Sequence, residues 1–255
     1  MRISRDLSSE LWQELRKTVA SFAAVASQPK YKKLFCLIIA MNALMIFGDL
    51  VARALQLREV KLISRETASH FLLSTDGGVP EWFGYFEMGA TSLFLVVAAV
   101  RGRTITLALW SVVVCYLMLD DAFQVHEHMG GLLGSDLSLF SGPPEYLQSR
   151  GELLFAAITG IAILTVLTIA LVRANVGEAA LAATLLVPFA ALAFFAAGVD
   201  FLHELVGGSS NKVASIMAIL EDGGELISMG FFLIFAIAVQ ALVRQTVSQP
   251  SAAVA

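Results

Sequence analysis

Residues 222–243 read DGGELISMGFFLIFAIAVQALV, a run in which only Asp222 and Glu225 carry charge, both near its start. A helix needs about 20 apolar residues to cross the roughly 30 Å of hydrocarbon in a bilayer, and this run is long enough. Five further segments come close to that length: 34–55, 84–100, 104–126, 152–172 and 179–204. Together they predict an all-α, polytopic membrane bundle of about six transmembrane helices. The second span is the shortest, so its ends are the least defined.

The composition agrees. The chain of 255 residues is 57% hydrophobic and 15% charged, whereas soluble domains carry about 45–50% apolar and about 25% charged residues. A net charge of −4 with no basic stripe gives no footprint for nucleic acid. Cys36 and Cys115 lie inside apolar segments and read as free thiols, with no disulfide framework. The first long apolar run begins only after Lys33 and has no small-residue cleavage site behind it, so the N-terminus is not a secretory signal.

Outside the spans, residues 7–26 repeat Leu7, Leu11, Leu15, Val19 and Phe22 among polar neighbours, the pattern of an amphipathic helix at a membrane interface. The expected organisation is an amphipathic N-terminal segment over 1–33, a six-helix transmembrane domain over 34–243 and a disordered tail over 244–255. Lys30, Lys32 and Lys33 precede the first span, Arg101 and Arg103 fill the second-to-third turn, and Arg173 and Arg244 follow spans four and six. With six spans these all share one side, which places both termini in the cytoplasm of a bacterial inner membrane. Arg58, Lys61 and Arg65 lie on the other side and count against that orientation.

This topology gathers the charges. Asp49, Glu87, Asp120, Asp121, Glu127, Glu152, Asp200, Glu204, Glu221, Asp222 and Glu225 all fall at the periplasmic ends of the spans, with His126, His128 and His203. Carboxylates at helix N-termini, such as Glu87, Glu152 and the Glu221/Asp222/Glu225 group, need no special function, because the helix dipole favours them by about 0.3–1 kcal/mol. Asp120, Asp121 and Asp200 fall in the C-terminal halves of their spans, where the dipole opposes an anion. An Asp also costs about 2.5–3.5 kcal/mol at mid-membrane, less toward the interface. These three therefore call for a compensating cation or proton.

A repeat runs through the same residues. His126-Glu127-His128-Met129-Gly130-Gly131 and His203-Glu204-Leu205-Val206-Gly207-Gly208 both read H-E-x-x-G-G, and the helices that follow open with Gly151-Glu152-Leu153 and Gly224-Glu225-Leu226. Spans three–four and five–six thus read as two copies of one hairpin. Spans one–two, with Asp49 and Phe86-Glu87-Met88, read as a degraded third copy. On continuous helices Asp200, His203 and Glu204 share a face, as do Glu221 and Glu225. Asp120 and Glu127 are nearly eclipsed, with His126 and His128 about 100° to either side. The repeat favours His126 as the counterpart of His203, while the Asp121 face favours His128; spacing alone leaves both open.

Histidines with several carboxylates and no thiolate form a ligand set for iron, manganese or zinc, and bundle sites of this kind are commonly dinuclear. The expected ligands are His126 or His128, Glu127, Glu152, His203, Glu204, Glu221 and Glu225. Asp120, Asp121 and Asp200 are expected as general base, further ligands, or carboxylates that orient the histidines. The zinc-protease motif H-E-x-x-H fails in both copies, where Gly130 and Gly207 stand at its second histidine. The chain resembles membrane hydrolases of the ceramidase and progestin-receptor type only in placing histidines and acids in a helical bundle; their His-x-x-x-His signature is missing, and no residue is carried across.

The reading favoured by the sequence is a metal-dependent membrane hydrolase or oxidoreductase with two metal ions, acting at the exterior face on a hydrophobic or lipid-like substrate. The alternatives are a transporter or channel for divalent metal or protons, and an accessory protein that holds metal for a partner enzyme. Transport would need a polar path to the inner face, for which spans four to six offer little beyond hydroxyls. The oligomeric state is open.

Overall fold

The first helix, α1 (Arg2–Ser27), is separated by Gln28 alone from Pro29, which opens α2 (Pro29–Leu57). Proline suits that first helical position because its missing N–H would have no intrahelical partner there. The chain continues through α3 (Arg65–Ser69), α4 (Val79–Gly102), α5 (Ile105–Ala122) and α6 (Val125–Gly131), which runs on as a π-helical turn over Leu132–Asp136. Next come α7 (Leu147–Arg173), α8 (Val176–Ala183), α9 (Leu186–Ala193), a second π-helical turn (Phe194–Val199), α10 (Asp200–Val206) and α11 (Asn211–Ser248). The computed structural model describes the backbone of residues 2–57, 64–137, 139–140, 147–206 and 211–248. Side chains are described for these except residues 2–8, 56, 57, 65, 136, 204–206, 211, 212 and 214. There is no strand among the described residues.

Among the described residues, six helical segments are long and apolar enough to cross a membrane: Pro29–Leu55, Val79–Gly102, Ile105–Ala122, Leu147–Arg173, Val176–His203 and Ser215–Ser248. Each overlaps one of the six runs read from the sequence. Span three differs at its end: the expected helix through His126 stops at Ala122, because Gln124 takes a left-handed conformation (φ 50°). The left-handed region costs a non-glycine residue about 1–2 kcal/mol, so the surrounding packing holds it there. The expected near-eclipse of Asp120 and Glu127 is therefore lost. Span five is also interrupted: Pro188 lacks an N–H and crowds the preceding turn, and a turn at Thr184–Leu185 separates α8 from α9. α11 continues as helix to Ser248.

The chain forms two compact units, one of residues 1–28, 89–187 and 235–255 and the other of 29–88 and 188–234. In the first, Leu95, Leu107, Trp110, Val114, Leu167 and Val239 are fully buried. Ser92 and Ser111 donate to each other's backbone carbonyls at 3.1 and 3.0 Å, which joins α4 to α5. Thr106 donates to Glu178 at 2.8 Å, which joins α5 to α8. α1 packs against α8, with Val25 buried and the Phe22 ring 5.4 Å from that of Phe235. Its Leu11, Trp12 and Val19 are exposed, and the Arg16 guanidinium lies over the Trp12 ring. In the second unit, close approach of α4 to α11 requires Gly84 and Gly230. A Cβ on Gly84 would lie 2.8 Å from Met229 Sδ, and one on Gly230 2.6 Å from Asn42 Nδ2.

Candidate functional site

In the first unit the break at Phe123–Gln124 turns the chain so that α6 brings His126 back beside the last turn of α5. His126 Nδ1 lies 3.3 Å from Asp120 Oδ2. The Tyr116 hydroxyl lies 3.5 Å from the other Asp120 oxygen. His128, on the same short helix, points elsewhere: its Nδ1 lies 2.7 Å from the Gln124 carbonyl and the residue is exposed. The structure thus separates two histidines that spacing left equivalent.

α7 closes the other side. Glu152 accepts from Gln148 Nε2 at 2.8 Å, and its Cγ lies only 2.2 Å from where a Cβ on Gly130 would be. A Cβ on Gly151 would lie 2.1 Å from the Gly130 carbonyl oxygen, and one on Gly134 1.9 Å from that of Leu147. These glycines let the α6 and α7 backbones touch. Gly131, the second glycine of the motif, has no described residue within 4 Å of its Cβ position. The His126 imidazole is held above the usual histidine range, first by its hydrogen bond to Asp120. Burial opposes this, and the negative charges of Asp120, Asp121 and Glu152 add to it. Glu127 is half-buried on α6 and takes no part in the His126–Asp120 pair.

The second unit carries its own imidazole–carboxylate pair, His203 Nδ1 to Glu221 Oε2 at 2.6 Å between α10 and α11. Beside it Asp222 has one buried oxygen, Oδ2, without a hydrogen-bond partner among the described residues, and its charged neighbours are Glu221, Arg53, Asp49 and His203. Asp49 is fully buried. Its two oxygens face Arg53 Nε at 3.0 and 2.8 Å, and Oδ1 also accepts from the Leu73 backbone N–H at 3.0 Å. Asp200 is half-buried at the start of α10, directly after the π-helical turn, and Glu225 is half-buried one helical turn along from Glu221. A Cβ on Gly224 would fall 2.1 Å from the Phe195 ring, so that glycine seats the π-helical turn on α11. The Glu204 side chain and Gly207 and Gly208 lie outside what the structure describes.

Of the three aspartates expected to need a compensating charge, Asp120 meets His126; elsewhere Asp49 meets Arg53 and Glu221 meets His203. Among the described residues, no three His, Cys, Asp or Glu side chains are arranged around a point that could hold a metal ion. The residues that sequence reasoning passed over are Arg53, Tyr116 and Gln148. Arg53 had a signal, since it follows Asp49 by four residues on one helix face, and so had Gln148, four before Glu152. No curated protein and no solved structure matches the chain. The matching family model covers residues 37–239, and the chain belongs to that family, described as a domain of unknown function (DUF8692).

Proposed function

We propose that the chain is an integral membrane metalloprotein in which His126 and His203 each nucleate the binding of one divalent metal ion, iron, manganese or zinc. The observation that supports this is the pair of imidazole–carboxylate contacts, Asp120–His126 and Glu221–His203, each made through Nδ1. A metal-ligating histidine commonly donates one ring N–H to a carboxylate, which fixes the ring and raises the basicity of the other nitrogen. Nε2 is then the ligand in both copies. Asp121, Glu127 and Glu152 around the first histidine, and Asp200 and Glu225 around the second, would complete the spheres by side-chain rotation, with Glu204 as the further ligand expected from the sequence. A metal so placed would supply Lewis acidity for water activation, or redox chemistry, with a neighbouring aspartate as base. This is the chemistry of a membrane hydrolase or oxygenase.

The same reading places the six helices in a bilayer with both termini cytoplasmic, α1 at the interface, the two hairpins as repeats and both sites toward the exterior. Hydrophobic or lipid-like substrates suit that depth.

Elemental analysis of detergent-purified protein tests the proposal. Wild type should carry about two equivalents of metal. His126→Ala and His203→Ala should each lose one, and His128→Ala should keep both. Protein without stoichiometric metal, or variants that retain it fully, would defeat the assignment. A second reading is favoured by the ionisable partners already facing Asp49, Asp120 and Glu221: the same pairs relay protons or cations without a fixed metal. Metal-free protein that loses proton flux in vesicles on His203→Ala would select it.

A further inference from the structure

The second unit holds a titratable group that the metal reading does not use. Glu87 on α4 is 1% exposed and Asn42 on α2 is 4% exposed. Asn42 Nδ2 donates to Glu87 Oε1 at 2.8 Å and to the Ile38 carbonyl at 3.0 Å. The backbone carbonyl one turn back therefore fixes which end of the amide faces the carboxyl. Asn42 Oδ1, on the other end, is buried without a hydrogen-bond partner among the described residues. A Cβ on Gly230 of α11 would lie 2.6 Å from Asn42 Nδ2 and 3.3 Å from Glu87 Oε1, so the α11 backbone lies directly against the pair.

Holding this carboxyl ionised is costly. Burial costs an ion several kcal/mol even after relaxation, and the Asn42 amide offsets part of that cost. Contact with the α11 backbone suits a ligand that needs almost no volume, which favours a proton over a metal or hydrated cation. Along the packed elements, the nearest titratable groups in sequence are Cys36 and Asp49 on α2, six residues before and seven after Asn42, Glu225 on α11 and Tyr85 on α4. Asp49 lies seven residues from Asn42, about 10 Å along the helix, with Ile46 between them on the same face. Ile46 packs against Gly223 of α11.

We propose that Glu87 is a proton-binding site inside this unit, with Asn42 as its positioning residue and Gly230 as the backbone contact that closes it. The site is independent of any metal at His126 or His203. It gives the chain a buried carboxyl that takes up and releases a proton, the element a proton-coupled step requires.

Infrared difference spectra of the full-length protein in detergent, wild type minus Glu87→Gln, test this directly; the substitution keeps shape and hydrogen bonding. The expected result is a protonated-carboxyl band at acidic pH that gives way to a carboxylate band as pH rises. In Asn42→Leu the protonated band should persist to higher pH, a change that a purely structural role would not produce. A carboxylate signature throughout would overturn the proposal, as would a protonated band that never exchanges. Mapping of carbodiimide adducts by mass spectrometry gives a second readout. An adduct on Glu87 that declines with rising pH supports the site, and labelling of Glu87 indifferent to pH opposes it.

Discussion

Adjacent glycines of one motif should respond oppositely to the same substitution. In Gly130→Ala the new methyl would fall 2.2 Å from Glu152 Cγ, 2.9 Å from the Glu152 backbone nitrogen and 3.1 Å from the Gln148 carbonyl oxygen. The side chain can swing away, but the two backbone atoms belong to the first turns of α7 and move only if α6 and α7 separate. Overpacking of this kind costs about 1–3 kcal/mol. In Gly131→Ala the methyl meets no described residue within 4 Å. Gly131 also has right-handed helical backbone angles (φ −58°, ψ −46°). There the substitution lowers the entropy of the unfolded chain without native strain and should stabilise by about 0.4–1 kcal/mol. The two variants should therefore differ by roughly 1.5–4 kcal/mol. At about 2–4 °C per kcal/mol for a chain of this size, that is several degrees in a thermal unfolding assay in one detergent. Midpoints that move the same way, or a Gly130→Ala protein as stable as wild type, would refute the account of α6 against α7.

Three further outcomes follow from the same structure. Arg53→Met leaves the fully buried Asp49 without its guanidinium and should destabilise by about 3–5 kcal/mol in denaturant titrations; a loss under about 1 kcal/mol would place the pair in the class of exposed ion pairs. His126 is raised by Asp120, so its pairing stabilises the fold fully below the unfolded histidine value of about 6.5 and fades as pH rises through its higher folded value. Unfolding midpoints of metal-free protein followed across that window should fall with pH in wild type and lose that component in Asp120→Asn; superimposable pH curves would contradict the pairing. Gln124→Gly should raise stability by up to about 1 kcal/mol, since glycine occupies the left-handed region without the Cβ penalty, and a lowered midpoint would mean that the Gln124 side chain, and not the turn, holds the break.

How far the sequence reaches is clearest at particular residues. The six apolar helices were legible because the signal for each span lies in consecutive residues: length and hydropathy act within a single helix and need no partner. The nearness of Asp49 and Arg53 could be read from i, i+4 spacing. Which histidine meets Asp120 could not, because it depends on a left-handed Gln124 that intrinsic preference disfavours and that packing of α6 on α7 through Gly130, Gly134 and Gly151 imposes. The motif H-E-x-x-G-G looked like one unit, yet only tertiary contact distinguishes Gly130, pressed against α7, from Gly131, which touches none of the described residues. Asn42 and Glu87 are 45 residues apart, and they meet because Gly230 lets a third helix close over them. By itself the sequence determined the helices and the placement of charge along each. The tertiary structure decided which charges meet, because contact between helices depends on rotation, register and the backbone approach that individual glycines permit.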